Sequence, residues 1–286
     1  TAAMITKIPA NKIGHLVRNQ ISGGSVSDKY LVYDNSAESR LGIYYYESGA
    51  YPRKSSVIYD RARSSVCSLS LDEIPDDIYS KTKIFHISSI TLALNSNLRK
   101  TALEVIKRFH EAGALISFDV NYRAALWSED EARAVIEDVF NYVDFLFVSE
   151  ETSRRMLRRT GTLEEIMEGY VKDYGVKLVA TTRREAISPT CHNFNSKIFY
   201  DGKFYEEKPY NGIEVIDRIG SGDAYLSGVL YGLLKTGDVQ QALELGNASS
   251  AVKNTVLGDM SVSSIDEIMN VVKSHKATGR QDEMVR

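Results

Sequence analysis

The sequence is short of most features that mark a special class of protein. It has two cysteines, Cys67 and Cys191, in 286 residues, too few for a disulfide scaffold or a cysteine-rich metal site. That scarcity points to a reducing, cytoplasmic setting. No apolar run approaches the roughly 18–20 residues of a membrane helix. The first residues, Thr1-Ala2-Ala3-Met4-Ile5-Thr6-Lys7, carry no signal-peptide pattern. Neither charge is in excess: 35 Lys+Arg stand against 38 Asp+Glu, a net −3. This speaks against a broad nucleic-acid-binding surface, so any phosphate has to be held by local geometry. No repeat or low-complexity tract is present. What remains, 43% hydrophobic and 26% charged residues, is ordinary globular composition. The length suits one large domain, or a large one with a small one.

Along the chain, residues 2–8 read as a short strand and 11–20 as a helix with Ile13, Leu16 and Val17 on one side. Three tyrosine-rich or β-branched runs follow: Tyr30-Leu31-Val32-Tyr33, Leu41 to Glu47, and Ser56 to Asp60. Turn residues separate them, which predicts a small antiparallel sheet over about 28–64. The rhythm then changes. Strand runs near 83–87, 114–120, 144–148 and 177–181 alternate with helical patterns over 98–109, 129–142 and 150–159. That alternation predicts a parallel sheet covered by helices. Asp201-Gly202, between two strand-like runs over 197–208, is a hairpin signal. The polar tail 276–286 reads as frayed.

The stretch with most chemical content is Gly220-Ser221-Gly222-Asp223. A short strand around Ile213 and Val215 precedes it, and an amphipathic helix starting at Asp223 or Ala224 follows it. Two glycines allow a sharp turn and close approach of an anion. The helix start offers free N–H groups and the positive end of a dipole. Asp223 at the mouth could take a proton from an alcohol about to attack a phosphate. Taken alone, the string is as well read as a turn followed by an ordinary helix-start aspartate.

The surroundings change that balance. Asp217-Arg218-Ile219-Gly220-Ser221-Gly222-Asp223-Ala224-Tyr225 resembles the C-terminal signature of the ribokinase-like (PfkB) carbohydrate kinases. Phe118-Asp119-Val120-Asn121-Tyr122-Arg123, with Leu126-Trp127, resembles the 2-keto-3-deoxygluconate kinase subgroup. So do segments around Tyr59-Asp60-Arg61, Phe85 to Leu94, Arg184 to Ser188 and Lys197 to Gly202. The resemblance implies a three-layer α/β/α core with a mostly parallel central sheet and a small β-sheet lid. It divides the chain into a core of residues 1–27 and 65–286 and a lid of 28–64. It implies ATP-dependent phosphorylation of 2-keto-3-deoxygluconate, or its galactonate epimer, at the 6-position. Asp223 is then the general base, and Gly220, Ser221 and Gly222 form the anion hole. Tyr44, Tyr59, Arg61, Ile90 and Arg123 are substrate residues. Arg184, Gly220, Gly222 and Asn247 lie on the nucleotide side, and Asp217 belongs to a monovalent-cation loop. ATP and Mg2+ are implied as cofactors, with K+ at that loop. A sugar acid needs a cation for its carboxylate, and arginine offers a planar fork for one. Arg123 could equally pair with Asp119 or Glu129, Tyr44 could face solvent, Asn247 could be a polar helix residue, and Trp127 reads as packing.

Tyr33, Tyr44, Tyr46 and Ile58, if exposed on the lid, would form an apolar patch, and the resemblance implies a homodimer through that lid. The alternative is a lid that closes only over its own site. Two departures stand out. The resemblance implies a strand and a Gly-Gly segment ahead of the point matching Met4, and nothing here matches them. Gly23-Gly24 comes in the wrong order and reads as a turn. Ser149 and Thr152 stand where relatives carry an Asn and a Glu that organise magnesium water. Another sugar kinase of the family, or a non-catalytic protein retaining the fold, are the alternative readings.

Overall fold

The computed structural model describes residues 1–49 and 51–277. The chain falls into two compact units, one of Thr1–Glu47 with Ser56–Lys177, the other of Ser48–Ser55 with the chain from Leu178 onward. Of the tail expected to fray, the part from Thr278 on lies outside the described residues.

The first unit opens with β1 (Ala2–Ala3), β2 (Thr6–Pro9), helix α1 (Lys12–Gly23), β3 (Val26–Ser27) and β4 (Leu31–Asp34). Strand β5 (Ile43–Glu47) and β6 (Ser56–Asp60) follow. Then come β7 (Ile84–Ser88), α2 (Ser89–Ala93), α3 (Ser96–Glu111), β8 (Leu115–Asp119) and α4 (Glu129–Phe140). The unit ends with β9 (Phe145–Phe147), α5 (Glu150–Arg155) and α6 (Leu163–Tyr174).

Strands β7, β8 and β9 are parallel, with β8 between the other two. Ile116, Phe118 and Leu146 are fully buried, as expected where a parallel sheet is covered. Phe85 of β7 stacks on Phe109 of α3 at 4.2 Å, and Phe118 of β8 meets Phe140 of α4 edge-on. Helix α3 is capped by Asn95 and buries Leu98, Ala102, Val105, Ile106 and Phe109, the predicted stripe. Because β7 to β9 run the same way, the segments that follow them start at one end of the sheet. That is the end where open α/β sheets bind ligands.

One sheet differs from the sequence reading. The run Tyr30 to Tyr33 does not join the other two tyrosine-rich runs. Strand β4 pairs in parallel with β2, Leu31 facing Thr6 and Asp34 facing Pro9. Only β5 and β6 form the antiparallel hairpin. Turn chemistry marks where a strand ends, but it does not say which strand it pairs with.

The strand pairs within the second unit are antiparallel. This unit contains β10 (Leu178–Ser188), β11 (Cys191–Tyr200), β12 (Lys203–Glu206), β13 (Tyr210–Glu214), α7 (Ser221–Thr236), α8 (Val239–Asn254) and α9 (Ile265–Lys276). Strand β11 pairs with β10 along its length, with β13 near His192 and with β12 near Ile198. Asp201 and Gly202 turn the β11–β12 hairpin with φ of 49° and 69°, the two positive values that Asp-Gly signals. Helices α7 and α8 meet backbone to backbone. A Cβ on Gly228 would come 2.6 Å from the Leu245 carbonyl oxygen, and one on Gly232 2.5 Å from the Ala242 Cα. A Cβ on Gly246 would come 2.6 Å from Val229 Cγ2. No side chain fits at these three places, so the axis of α7, and with it the turn at its start, is fixed against α8.

Candidate active site

The glycine turn opens α7. Gly220 is the N-cap with φ +80°, a backbone conformation that glycine adopts without strain. A Cβ there would also land on the carbonyl oxygen of Asp259. The helix starts at Ser221, two or three residues before the expected start at Asp223 or Ala224. Asp223 is therefore the third helical residue. The N–H groups of Gly222 and Asp223, at a helix start, have no intrahelical partner. Both residues are exposed. A Cβ on Gly222 would meet nothing within 4 Å, so the approach to these N–H groups is open. Among the described residues the Asp223 carboxylate has neither an ion pair nor a hydrogen-bond partner. It stands beside these two open N–H groups, with its oxygens available.

The turn is held from behind. The Asp217 carboxylate is buried and accepts from the N–H of Ile219 at 3.0 Å and of Gly258 at 3.1 Å. The N–H groups of Ile216 and Asp217 both donate to the Asn254 carbonyl. Lys253, fully buried, donates from Nζ to the carbonyls of Asp217 and Val256, each at 3.1 Å. The sequence reading missed Lys253. Its signal was a lone lysine in the small-residue run of α8, where 13 of the 16 residues are buried and no polar face exists for it.

Two further residues are expected on the nucleotide side, Asn247 and Arg184. Asn247 is fully buried, and both ends of its amide are engaged. Oδ1 accepts from Ser196 Oγ at 2.6 Å, and Nδ2 donates to Glu207 Oε1 at 2.7 Å. Burial pushes the Glu207 carboxyl up to about 7. Asn247 thus ties α8 to β11 and to the loop after β12. Its amide is not presented to a ligand. Arg184 lies exposed on β10, opposite Phe194.

The expected substrate residues belong to the first unit. Tyr44 of β5 and Tyr59 of β6 are cross-strand partners with rings 6.2 Å apart. The Arg61 guanidinium lies 4.1 Å over the Tyr59 ring. Tyr44, Tyr59, Arg61 and Ile90, from the start of α2, line one cavity of about 450 Å3. Arg123, after β8, is not in that lining. It still acts on Arg61, whose pKa is pushed below the ordinary arginine value by burial first and then by the Arg123 charge. The ion pair weighed for Arg123 does not form. Its guanidinium donates to the carbonyls of Asn121 and Tyr122, and Glu129 pairs with Arg155. Among the described residues neither Arg61 nor Arg123 has a carboxylate partner. Arg61 Nε is buried with no acceptor among the described residues. An orphaned donor of this kind is costly unless a ligand supplies the acceptor.

Ser149 and Thr152 form a helix cap. Ser149 Oγ accepts from the Thr152 N–H and donates to Thr152 Oγ1 at 2.9 Å. Glu150 and Glu151 pair with Arg154 and Arg155 on the same helix. No group of three metal-ligating side chains occurs among the described residues. No helix there is long and apolar enough to cross a membrane.

Comparison with known proteins fits this geometry. A curated 2-dehydro-3-deoxygalactonokinase from Haloferax volcanii is 34% identical over 277 residues, 97% of this chain and 83% of that one. The crystal structure of 2-dehydro-3-deoxygluconokinase from Thermotoga maritima superposes with a TM-score of 0.89 at 32% identity, covering 95% of this chain and 83% of that one. At 20% identity, a ribokinase II structure from E. coli in complex with ATP and Mg2+ shares the fold, with a TM-score of 0.82 over 96% of this chain and 83% of that one. Residues 1–266 match the pfkB family of carbohydrate kinases. The fold is therefore ribokinase-like α/β, the glycine turn ahead of α7 falls within the matched range, and the chain belongs to the pfkB carbohydrate kinases.

Proposed function

We propose that the protein transfers the γ-phosphoryl group of ATP to the primary hydroxyl of a 2-keto-3-deoxy sugar acid, of gluconate or galactonate configuration. The observation that carries the acid is the pair of arginines without carboxylate partners, above all the orphaned Nε of Arg61 at an aromatic-lined cavity. A hydroxyl of a neutral sugar could accept from that donor but would leave two positive charges uncompensated. The relatives named for 2-dehydro-3-deoxy acids favour the same reading.

In this reading Asp223 takes the proton of the substrate hydroxyl as its oxygen attacks the γ-phosphorus. The bond to the β-phosphate bridging oxygen breaks and ADP leaves. The N–H groups of Gly222 and Asp223 receive the charge that develops on the phosphoryl oxygens. Magnesium enters with ATP as part of the substrate and neutralises phosphate charge. Among this chain's residues, the altered Ser149 and Thr152 are spent on a helix cap.

Two assays test the acid. At equal MgATP, kcat/KM for the keto-deoxy acid should exceed that for fructose. Arg61→Ala should then raise KM for the acid by about 10- to 100-fold, the worth of a charged hydrogen bond, with fructose turnover nearly unchanged. Preference for fructose, or an Arg61→Ala enzyme with wild-type KM for the acid, would falsify the reading.

The hairpin β5–β6 is proposed to join two copies. Strand alternation turns Tyr44 and Tyr59 to the cavity and leaves the adjacent pair Tyr45 and Ile58 exposed at 60% and 68%. A two-stranded sheet with an apolar outer face is marginal alone. Sedimentation should show a dimer for the wild-type chain and a monomer for Tyr45→Glu/Ile58→Glu. An unchanged sedimentation coefficient removes the hairpin from the interface.

A further inference from the structure

A buried ammonium is expensive to keep, because it gives up its water. Lys253 is fully buried in the last turn of α8. It is held there by two backbone carbonyls, those of Asp217 and Val256. Burial lowers its pKa, while the carboxylates of Asp217 and then Asp259 act the other way. The two carbonyls belong to different loops. One, residues 215–220, runs into the Gly220 turn. The other, residues 255–259, follows α8 and supplies the Gly258 N–H that Asp217 binds and the Asp259 carbonyl on which Gly220 rests. Lys253 is thus the cation that closes this pair of loops directly behind the anion-accepting helix start.

Backbone carbonyls gathered with a carboxylate nearby are a donor set for a dehydrated monovalent cation. The resemblance implies such an ion, potassium, at the Asp217 loop. The residues present do not fit it. Both Asp217 carboxylate oxygens accept from backbone N–H groups, and a charged nitrogen already holds the carbonyls of both loops. We infer that Lys253 is the resident cation of this chain: a positioning residue whose tethered ammonium holds the glycine turn in its working shape, so that the protein needs no free monovalent ion. The inference rests on the reading of the glycine turn as the anion site, but not on which sugar acid is the substrate.

The test compares the wild-type protein, Lys253→Ala and Lys253→Met in chloride salts of tetramethylammonium, sodium and potassium at equal ionic strength. Thermal melting and MgATP-dependent phosphorylation are both read. Wild-type melting temperature and rate should be indifferent to the cation, within about 2 °C and about twofold. Lys253→Ala opens room for an ion and leaves the carbonyls without donors. In tetramethylammonium it should lose about tenfold or more in kcat with KM for the sugar acid little changed. Potassium should restore much of that loss and raise its melting temperature. Lys253→Met fills the space without charge, so its loss should not be rescued.

A wild-type protein that potassium activates or stabilises several-fold overturns the inference. So does a folded Lys253→Ala whose loss is equal in every salt. The melting arm needs no sugar substrate, so a wrong substrate assignment leaves it readable. If neither variant folds in any salt, the wild-type cation series decides alone.

Discussion

Asp223→Asn should lower kcat by about 10³-fold while the protein folds as before. The size follows from the proposed role. A positioned general base is worth roughly 10²- to 10⁴-fold, and about 10³ corresponds to about 4 kcal/mol of barrier. The amide keeps the shape of the carboxylate but cannot accept the proton. Stability should barely move, because the Asp223 side chain is exposed and makes no contact that folding depends on among the described residues. Only its favourable place in the first turn of α7 is weakened, by under about 1 kcal/mol. Initial rates with saturating MgATP, beside a thermal melt, check both halves. A variant that keeps a tenth of wild-type turnover has no general base at this position. A variant that melts far below wild type would show that Asp223 supports the fold, and its rate would then say little about proton transfer.

The second large effect is expected at Gly220, and it is best read against Gly222. Gly220→Ala forces a side chain into φ +80°, at about 1–2 kcal/mol, and drives its methyl into the Asp259 carbonyl. The loop has to move, and the helix start moves with it. We expect at least about 2 kcal/mol less stability in urea and a fall in kcat of about 10²-fold, as when a donor to a developing charge is displaced. Gly222→Ala is the counterpart. Its methyl meets nothing within 4 Å, and alanine is the better helix former. The protein should be as stable or slightly more so, yet the methyl stands in the space through which a phosphate approaches the open N–H groups. Weaker ATP binding with undiminished stability would distinguish room for a ligand from room for a fold. Equal behaviour of the two variants would mean that Gly222 faces no phosphate.

Much of this site was legible because its signals are local. A pair of glycines before an amphipathic helix states its geometry within a few residues, as Asp201-Gly202 does for the β11–β12 hairpin. The stripe of α3 repeats at helical spacing and is buried as read. The start of α7 was placed late because glycine and serine carry little helical signal, although the backbone there is already helical from Ser221. Helix α6 escaped the sequence reading despite its capping box of Thr162 and Glu165. What stayed hidden depends on distant partners. Nothing in Leu31 to Asp34 names Thr6 to Pro9 as its neighbour. Nothing in Asn247 says that Ser196 and Glu207 consume its amide. The pair proposed to bind the acid shows the same limit. Arg61 and Arg123 were nameable by resemblance, but the orphaned Nε that gives the pair its meaning appears only in three dimensions.

The contact between α7 and α8 also bears on how this sequence can change over time. Helices that meet through side chains can drift, a larger residue on one answered by a smaller residue on the other. At Gly228 and Gly232 the obstructing atoms include the backbone of α8, so no substitution there can make room for a methyl, whereas at Gly246 they are the side chains of Val229 and Tyr225. Residues 221–254 are therefore inherited as one block. Recombination between relatives, in nature or in a gene library, keeps this helix pair only when both helices come from the same parent or from parents sharing Gly228 and Gly232.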